Sequence, residues 1–244
     1  MKRLALAAAL AALALPAAAQ DMTNAERQVL RKEVRDYLLE NPEVLMEAIQ
    51  ILDERQQQQQ VGADEALIAA NADALFSSPA DWVGGNVDGD VTVVEFMDYR
   101  CGYCRQAFAE TEQLVAQDGN IRFVLKELPI LGEQSVMASR FALAAKAIGG
   151  DDAYKKAHDA FFTLRGEVND ATLTRLAGDL GLDAAEVKAR MNADDITQII
   201  ADNHALAQKM QIQGTPTFVV GDTLLRGYVP GPQMAQIVRS EREG

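Results

Sequence analysis

Two cysteines, Cys101 and Cys104, are the only ones in the 244-residue chain, and they stand three residues apart in DYRCGYCRQAF. A bridge between them closes a loop too short to restrain the rest of the protein, so the pair reads as chemical rather than structural. The residues before it, VTVVEF, form a β-branched run suited to a buried strand, and RQAFAETEQLVAQ after it has helical character. A C-x-x-C at such a strand-to-helix turn puts the first sulfur beside unpaired backbone N–H groups, which favour thiolate over thiol. Cys101 is therefore the expected nucleophile. Cys104, one turn deeper, is placed to attack a mixed disulfide formed on Cys101, which completes a thiol–disulfide exchange cycle. The competing chemistry is metal binding. Zinc needs four ligands, and the two histidines, His158 and His204, lie far away in helical stretches and read as packing or surface residues. A two-thiolate Cu(I) site suits soft ligands and remains a rival, although no Met-rich or His-rich tract supports it. No cofactor and no other metal is expected.

A second feature narrows the reading. Gly214-Thr215-Pro216-Thr217 stands directly before the strand-like FVV. Proline beside a sheet either terminates pairing or takes a cis bond in a tight turn. A C-x-x-C after an early strand together with an X-Pro before a late hairpin is far more specific than either alone.

The elements that must position these residues follow from periodicity. Thr23 and Glu26 start a helix as a capping box, and Val29, Leu30, Val34, Tyr37 and Leu38 recur at helical spacing. Asn41-Pro42 is expected to cap and open a second helix, with Leu45, Ala48, Ile49 and Leu52 as its apolar stripe. Gln56 to Gln60 reads as an exposed polar run, and a third helix is expected over roughly 63–76. SSPADWVGGNVDGD reads as a linker, with Trp82 as the packing residue that seats it. VTVVEF, a helix and IRFVLKELPI give the β-α-β start of a parallel sheet. Residues 133–211 carry helical patterns broken at Gly149-Gly150 and Gly181, with Asp170 and Asp183 as candidate caps. TFVVGDTLLRGYVPG then reads as a hairpin turning at Gly221-Asp222, followed by a short helix from about Pro232.

The opening MKRLALAAALAALALPAAAQ has the order of a secretory signal, cut after about Ala19. Its apolar run is shorter than the roughly 20 residues of a spanning helix. The chain carries a formal net charge of −13, and −15 once Lys2 and Arg3 leave with the signal, which makes nucleic acid and anionic lipid poor partners. In an oxidising compartment a lone adjacent cysteine pair is reactive rather than structural.

Over roughly residues 80–244 the chain resembles the thioredoxin-fold DsbA superfamily of periplasmic thiol–disulfide oxidoreductases, on its CGYC motif, GTPT loop and helical insertion. DYLLENPEVLMEAIQIL resembles the oligomerisation segment of the ScsC proteins, disulfide isomerases of that superfamily. The CGYC dipeptide and the threonine before the proline are closer to the isomerase DsbC than to DsbA. The resemblance implies an α/β, thioredoxin-like fold with an inserted helical domain and an N-terminal helical oligomerisation segment. The divisions are a signal peptide at 1–19, the oligomerisation segment at 20–78, thioredoxin parts at 79–132 and 212–244, and the insertion at 133–211. It implies that Cys101 is the exposed nucleophile, that Cys104 resolves, and that Pro216 is cis. Thr215 and Pro216, with Gly102 and Tyr103, would meet the substrate chain. The expected partners are disulfide-bonded or unfolded proteins, a membrane donor of thiols, and copies of the same chain, a trimer by resemblance.

Glu95 completes the candidate set. A carboxylate within VVEF is costly to bury unless paired, and Lys126 of the neighbouring strand is the expected charge partner. The family carries an acid six residues before the first cysteine, near the resolving thiol, and Glu95 matches it. Desolvation would raise its pKa toward a range useful for moving protons to and from Cys104. Arg100 and Arg105 flank the pair, where they would either support the thiolate electrostatically or stand as solvated surface charges, and both are left outside the catalytic set. The function expected is that of a periplasmic disulfide isomerase or reductase. A DsbA-like oxidase is the nearer alternative and a Cu(I)-binding or relay protein the more distant one.

Overall fold

The computed structural model describes residues 22–243, so the expected signal at 1–19 lies outside the described residues. The chain divides into two compact units that meet at Gln56 and Gln57. In the first unit, α1 (Asn24–Glu40) starts with the capping box: Glu26 N–H donates to Thr23 Oγ1 at 3.3 Å and Thr23 N–H to Glu26 Oε2 at 2.7 Å. Asn41 behaves differently from expectation. Its side chain donates to the Tyr37 carbonyl at 2.9 Å and so closes α1 rather than opening α2 (Glu43–Ala70). The glutamine run does not break α2, because glutamine is a good helix former and a polar helix face needs no partner; one 28-residue helix replaces two shorter ones. α1 buries no residue, and Leu30, Val34, Leu45, Ile49 and Leu52 are exposed.

The second unit contains the remainder of α2, followed by α3 (Ala72–Phe76), β1 (Trp82–Gly85), β2 (Val91–Met97), α4 (Gly102–Asp118) and β3 (Ile121–Glu127). Next come α5 (Glu133–Thr163), α6 (Asp170–Asp179), α7 (Ala184–Arg190) and α8 (Asp194–Lys209). The chain ends with β4 (Thr217–Val220), β5 (Thr223–Arg226) and α9 (Gly231–Glu243). The expected linker thus contains a strand. β1 pairs antiparallel with β3, while Trp82 stacks on Tyr154 at 6.0 Å and meets Phe123 edge-on at 6.4 Å. The sheet runs β1-β3-β2-β4-β5, with β2 and β3 parallel and the other pairs antiparallel. Gly221 takes φ 54° in the two-residue turn of the β4–β5 hairpin, a conformation open to glycine.

Alternation along β2 and β3 sorts the two cores. Val93 and Met97 face one side with Phe123, Leu125 and Phe218, under α4, α5 and α9. Val94 and Phe96 face the other with Val124, Leu128, Ile68, Leu75 and Leu206. The insertion consists of helices joined by loops and turns. Gly150, at φ 75° and ψ −168°, kinks α5 where the glycine pair predicted a break. Asp183 caps α7 as expected, but Asn169 rather than Asp170 caps α6.

The same alternation corrects the pairing of Lys126. In the parallel register Glu95 stands opposite Leu125, and Lys126 stands opposite Phe96 on the other face. Its ammonium meets Asp81 at 2.5 Å, the residue directly before β1, with both side chains buried. The partner came from the edge strand that the sequence did not reveal.

Candidate active site

β2 ends at Met97, and the chain turns through Asp98-Tyr99-Arg100 into α4. Asp98, fully buried, ties this turn down. Its carboxylate accepts from Arg100 N–H at 2.7 Å and from Ile130 and Leu131 N–H at 2.8 and 3.0 Å, which joins the turn to the loop after β3. Cys101 N–H donates to the Asp98 carbonyl at 3.0 Å. Cys101 is itself the N-cap of α4: its sulfur accepts from Cys104 N–H at 3.4 Å, the place a serine or aspartate oxygen normally takes.

That position sets the two thiols apart. The Cys101 thiol is pulled down to about 5, first by the Cys104 thiol donating to it, then by the Thr215 side chain and the Cys104 and Tyr103 backbone N–H groups, against the opposing effect of burial. Cys104 is fully buried, and burial drives its pKa far above the ordinary thiol value, with its donation to Cys101 and the charge of Glu95 adding to the rise. At neutral pH the pair is therefore one thiolate and one thiol. Cys101 is only 7% exposed, less open than the resemblance implies.

The GTPT loop accounts for part of that cover. The Thr215–Pro216 bond is cis, and the thiol form of Cys101 donates to the Thr215 carbonyl at 3.1 Å. Thr217 Oγ1 donates to the Gly214 carbonyl at 2.8 Å and Gly227 N–H to the Pro216 carbonyl at 3.0 Å, which hold the loop against β5. Gly102 opens α4 with open space where a Cβ would stand. Tyr103 is 63% exposed and stacks on Tyr228, with centroids 6.4 Å apart. The structure thus brings Cys101, Cys104, Gly102, Tyr103, Thr215 and Pro216 to one end of the sheet.

Glu95 joins them from below. It lies on the central strand between Leu125 and Phe218 and is 3% exposed, so it does not face water. Burial first, then the charges of Glu112 and Cys101, push its carboxyl up to about 8. Arg105 is not a free surface charge, whereas Arg100 stays exposed. Arg100 donates to the Gly166 carbonyl at 3.0 Å, and Arg105 to the carbonyls of Phe162 and, at 3.0 Å, Leu164, which fastens the turn to the end of α5. Sequence reading missed Asp98, Asp81 and the buried Glu127, since each is defined by partners far away in the chain. For Glu127 the only local signal was an acid beside Lys126 at the end of an apolar strand run. As for metals, Glu112, His158 and Asp159 lie close together, but the Lys155 ammonium already meets both carboxylates, at 3.1 and 2.6 Å. His158, its pKa pushed down to about 3 by burial and by Lys155, packs among Tyr99, Phe108 and Phe162.

Residues 92–239 match the model of the DSBA-like thioredoxin domain. The chain belongs to the DsbA-like thioredoxin family. Residues 26–59 match the copper resistance protein ScsC N-terminal domain, so the chain joins that domain to a DsbA-like one. A thioredoxin-like oxidoreductase from Silicibacter pomeroyi DSS-3 is 45% identical, with a TM-score of 0.66 over 70% of this chain and 98% of that one. A linker-deletion mutant of Proteus mirabilis ScsC is 28% identical, with a TM-score of 0.68 over 92% of this chain and 99% of its own. Disulfide bond formation protein D of Bacillus subtilis is 25% identical over 66% of this chain and 76% of its length. The chain spans about a fifth of the length of other curated relatives it matches, the Na(+)/H(+) antiporters of two Salinispora species. No helix among the described residues is long and apolar enough to cross a membrane. The family match and the thioredoxin-like fold agree with a C-x-x-C at the N-terminus of α4.

Proposed function

We propose that the protein is an exported, periplasmic disulfide isomerase or reductase that acts on misbridged proteins as a homo-oligomer. The observation that carries the reading is the inequality of the two sulfurs, a stabilised thiolate at the N-terminus of α4 and a buried thiol behind it. The Cys101 thiolate attacks a client disulfide, forms a mixed disulfide and releases one client sulfur as a thiolate. If that thiolate then attacks another bridge, and a client sulfur finally displaces Cys101, the client is rearranged with no net change in oxidation. If Cys104 attacks Cys101 instead, the client leaves with two thiols and the protein keeps the Cys101–Cys104 disulfide. Cys104 must lose its proton in that step and regain it in the reverse one. Glu95, buried with a carboxyl near 8, is placed to carry it. Thr215, Pro216, Gly102 and Tyr103 form the surface the client backbone meets.

The isomerase direction is supported by the match to the ScsC N-terminal domain; the stabilised thiolate serves isomerase and oxidase alike, since a stabilised reduced pair also makes a stronger oxidant. A membrane donor of thiols would keep it reduced. The exposed stripe on α1 and α2 supports assembly, a trimer by the ScsC resemblance, with residues 20–78 as the oligomerisation segment. The test is recovery of activity by scrambled ribonuclease in a glutathione buffer. Reshuffling at catalytic concentrations is expected. Rapid oxidation of reduced ribonuclease with no reshuffling would make the protein an oxidase instead.

A further inference from the structure

At the end of β3, outside the thiol machinery, a carboxyl group is buried with no cation beside it among the described residues. Glu127 is 1% exposed, and three hydroxyls converge on it. Tyr99 and Tyr154 donate to Oε1 at 2.8 and 2.7 Å, and Ser139 donates to Oε2 at 2.7 Å. All three donors are themselves 1% exposed or less. The backbone carbonyl of Glu127 accepts from the Asn203 side chain at 3.1 Å. One residue thus gathers β3, the turn after β2, both halves of the kinked α5, and α8.

Three donors and no acceptor form an arrangement suited to a carboxylate, while burial favours the acid. Burial wins in part and pushes Glu127 up to about 7, with the hydroxyls of Ser139, Tyr154 and Tyr99 pulling the other way. The titratable groups that face it are Asp98 and Tyr99 from the turn, and Tyr154 from α5, with His158 reached through the Tyr99 hydroxyl at 3.3 Å. None of them is a cation at neutral pH, because His158 is held neutral. Such an arrangement is costly to keep, and a sheet end packed for stability alone would be apolar.

Its geometry leads to the nucleophile. Tyr99 is two residues before Cys101, its ring is enclosed by Phe161 and Phe162 at 5.0 and 5.1 Å, and its carbonyl accepts from Arg105. Once the Tyr99 hydroxyl is fixed, little freedom remains in the turn that sets Cys101 over the N-terminus of α4. We propose that Glu127 is a positioning residue for thiol exchange, holding Tyr99 by its hydroxyl and, through it, the turn that presents the Cys101 sulfur to the Cys104 N–H. This rests on Cys101 being the nucleophile.

The reactivity of Cys101 against pH, followed by alkylation of the full mature protein, is the test. Wild type should show a low inflection from the Cys101 thiol. Glu127→Gln and Tyr99→Phe should each raise that inflection by about one unit, a roughly tenfold loss of thiolate below it, because the loosened turn costs the sulfur its N–H donor. The double variant should shift no further than either single one. Tyr99→Phe keeps the ring and the buried carboxylate, so it remains informative if Glu127→Gln folds poorly. An upward shift in both variants cannot come from lost charge repulsion, since removing an anion near Cys101 would lower its inflection. Ser139→Ala removes a donor that does not touch the turn and should lower stability while leaving the inflection in place. The proposal is overturned if neither variant moves the inflection, if they move it in opposite directions, or if Ser139→Ala moves it equally. Failure of the nucleophile assignment would look different, with alkylation and exchange persisting in Cys101→Ser.

Discussion

Replacing Glu95 with glutamine should stabilise the folded protein while impairing its chemistry. The carboxyl is 3% exposed on the central strand, and its pKa rises from 4.5 to about 8 on folding, mainly through burial. A carboxyl raised by folding adds stability in full below its unfolded value and loses it as pH rises through the folded one. Between 4.5 and about 8 the folded chain keeps a proton that the unfolded chain has released, so stability falls with rising pH. The loss runs at about 1.4 kcal/mol per pH unit, roughly 3 kcal/mol by neutral pH and roughly 5 kcal/mol above the window. Glutamine has nearly the same shape and never ionises. Glu95→Gln should therefore match wild type in acid and become progressively more stable as pH rises. Urea unfolding of both proteins at several pH values from below 4.5 to above 8 measures the difference directly. The Cys101 thiolate also helps hold Glu95 up, so the gap should narrow when the pair is oxidised. Resolution of the mixed disulfide, where a proton must leave Cys104, should slow on the order of a hundredfold. A stability difference that stays flat across the window, or shrinks as pH rises, would refute the reasoning.

Three further outcomes are expected. Cys101→Ser should abolish exchange, and Cys104→Ser should accumulate clients as mixed disulfides visible by mass spectrometry; trapping by the first variant and not the second would reverse the roles. Asp81→Asn leaves the Lys126 ammonium buried without its counter-charge and should cost about 3–5 kcal/mol in denaturant unfolding, whereas a loss below about 1 kcal/mol would show the pair to be as weak as a surface bridge. Ile49→Glu, on the exposed stripe of α2, should turn the oligomer into monomers by light scattering while leaving the Cys101 titration unchanged; a wild-type chain that is already monomeric would remove the assembly from the proposed function.

Local chemistry alone determined a good deal of this protein. The strand-to-helix turn around CGYC, the break at Gly150, the hairpin at Gly221-Asp222 and the capping box at Thr23 are legible in short stretches because each depends on neighbours within a few residues. The same holds for the order of the two sulfurs, which follows from the direction of α4. Contacts between distant residues were decided only by the tertiary structure. Lys126 was expected beside Glu95, but the parallel register turned it to the other face, where an edge strand concealed in a glycine-rich linker supplied Asp81. Arg105 looked like a solvated charge until the end of α5 presented backbone carbonyls to it. Glu127 looked like an ordinary strand acid, and nothing near it in the chain announced that Tyr99, Ser139 and Tyr154 would converge on it. Periodicity and capping report which face of an element is buried, whereas register and packing decide what that face meets. The partner of a buried charge is therefore a property of the fold.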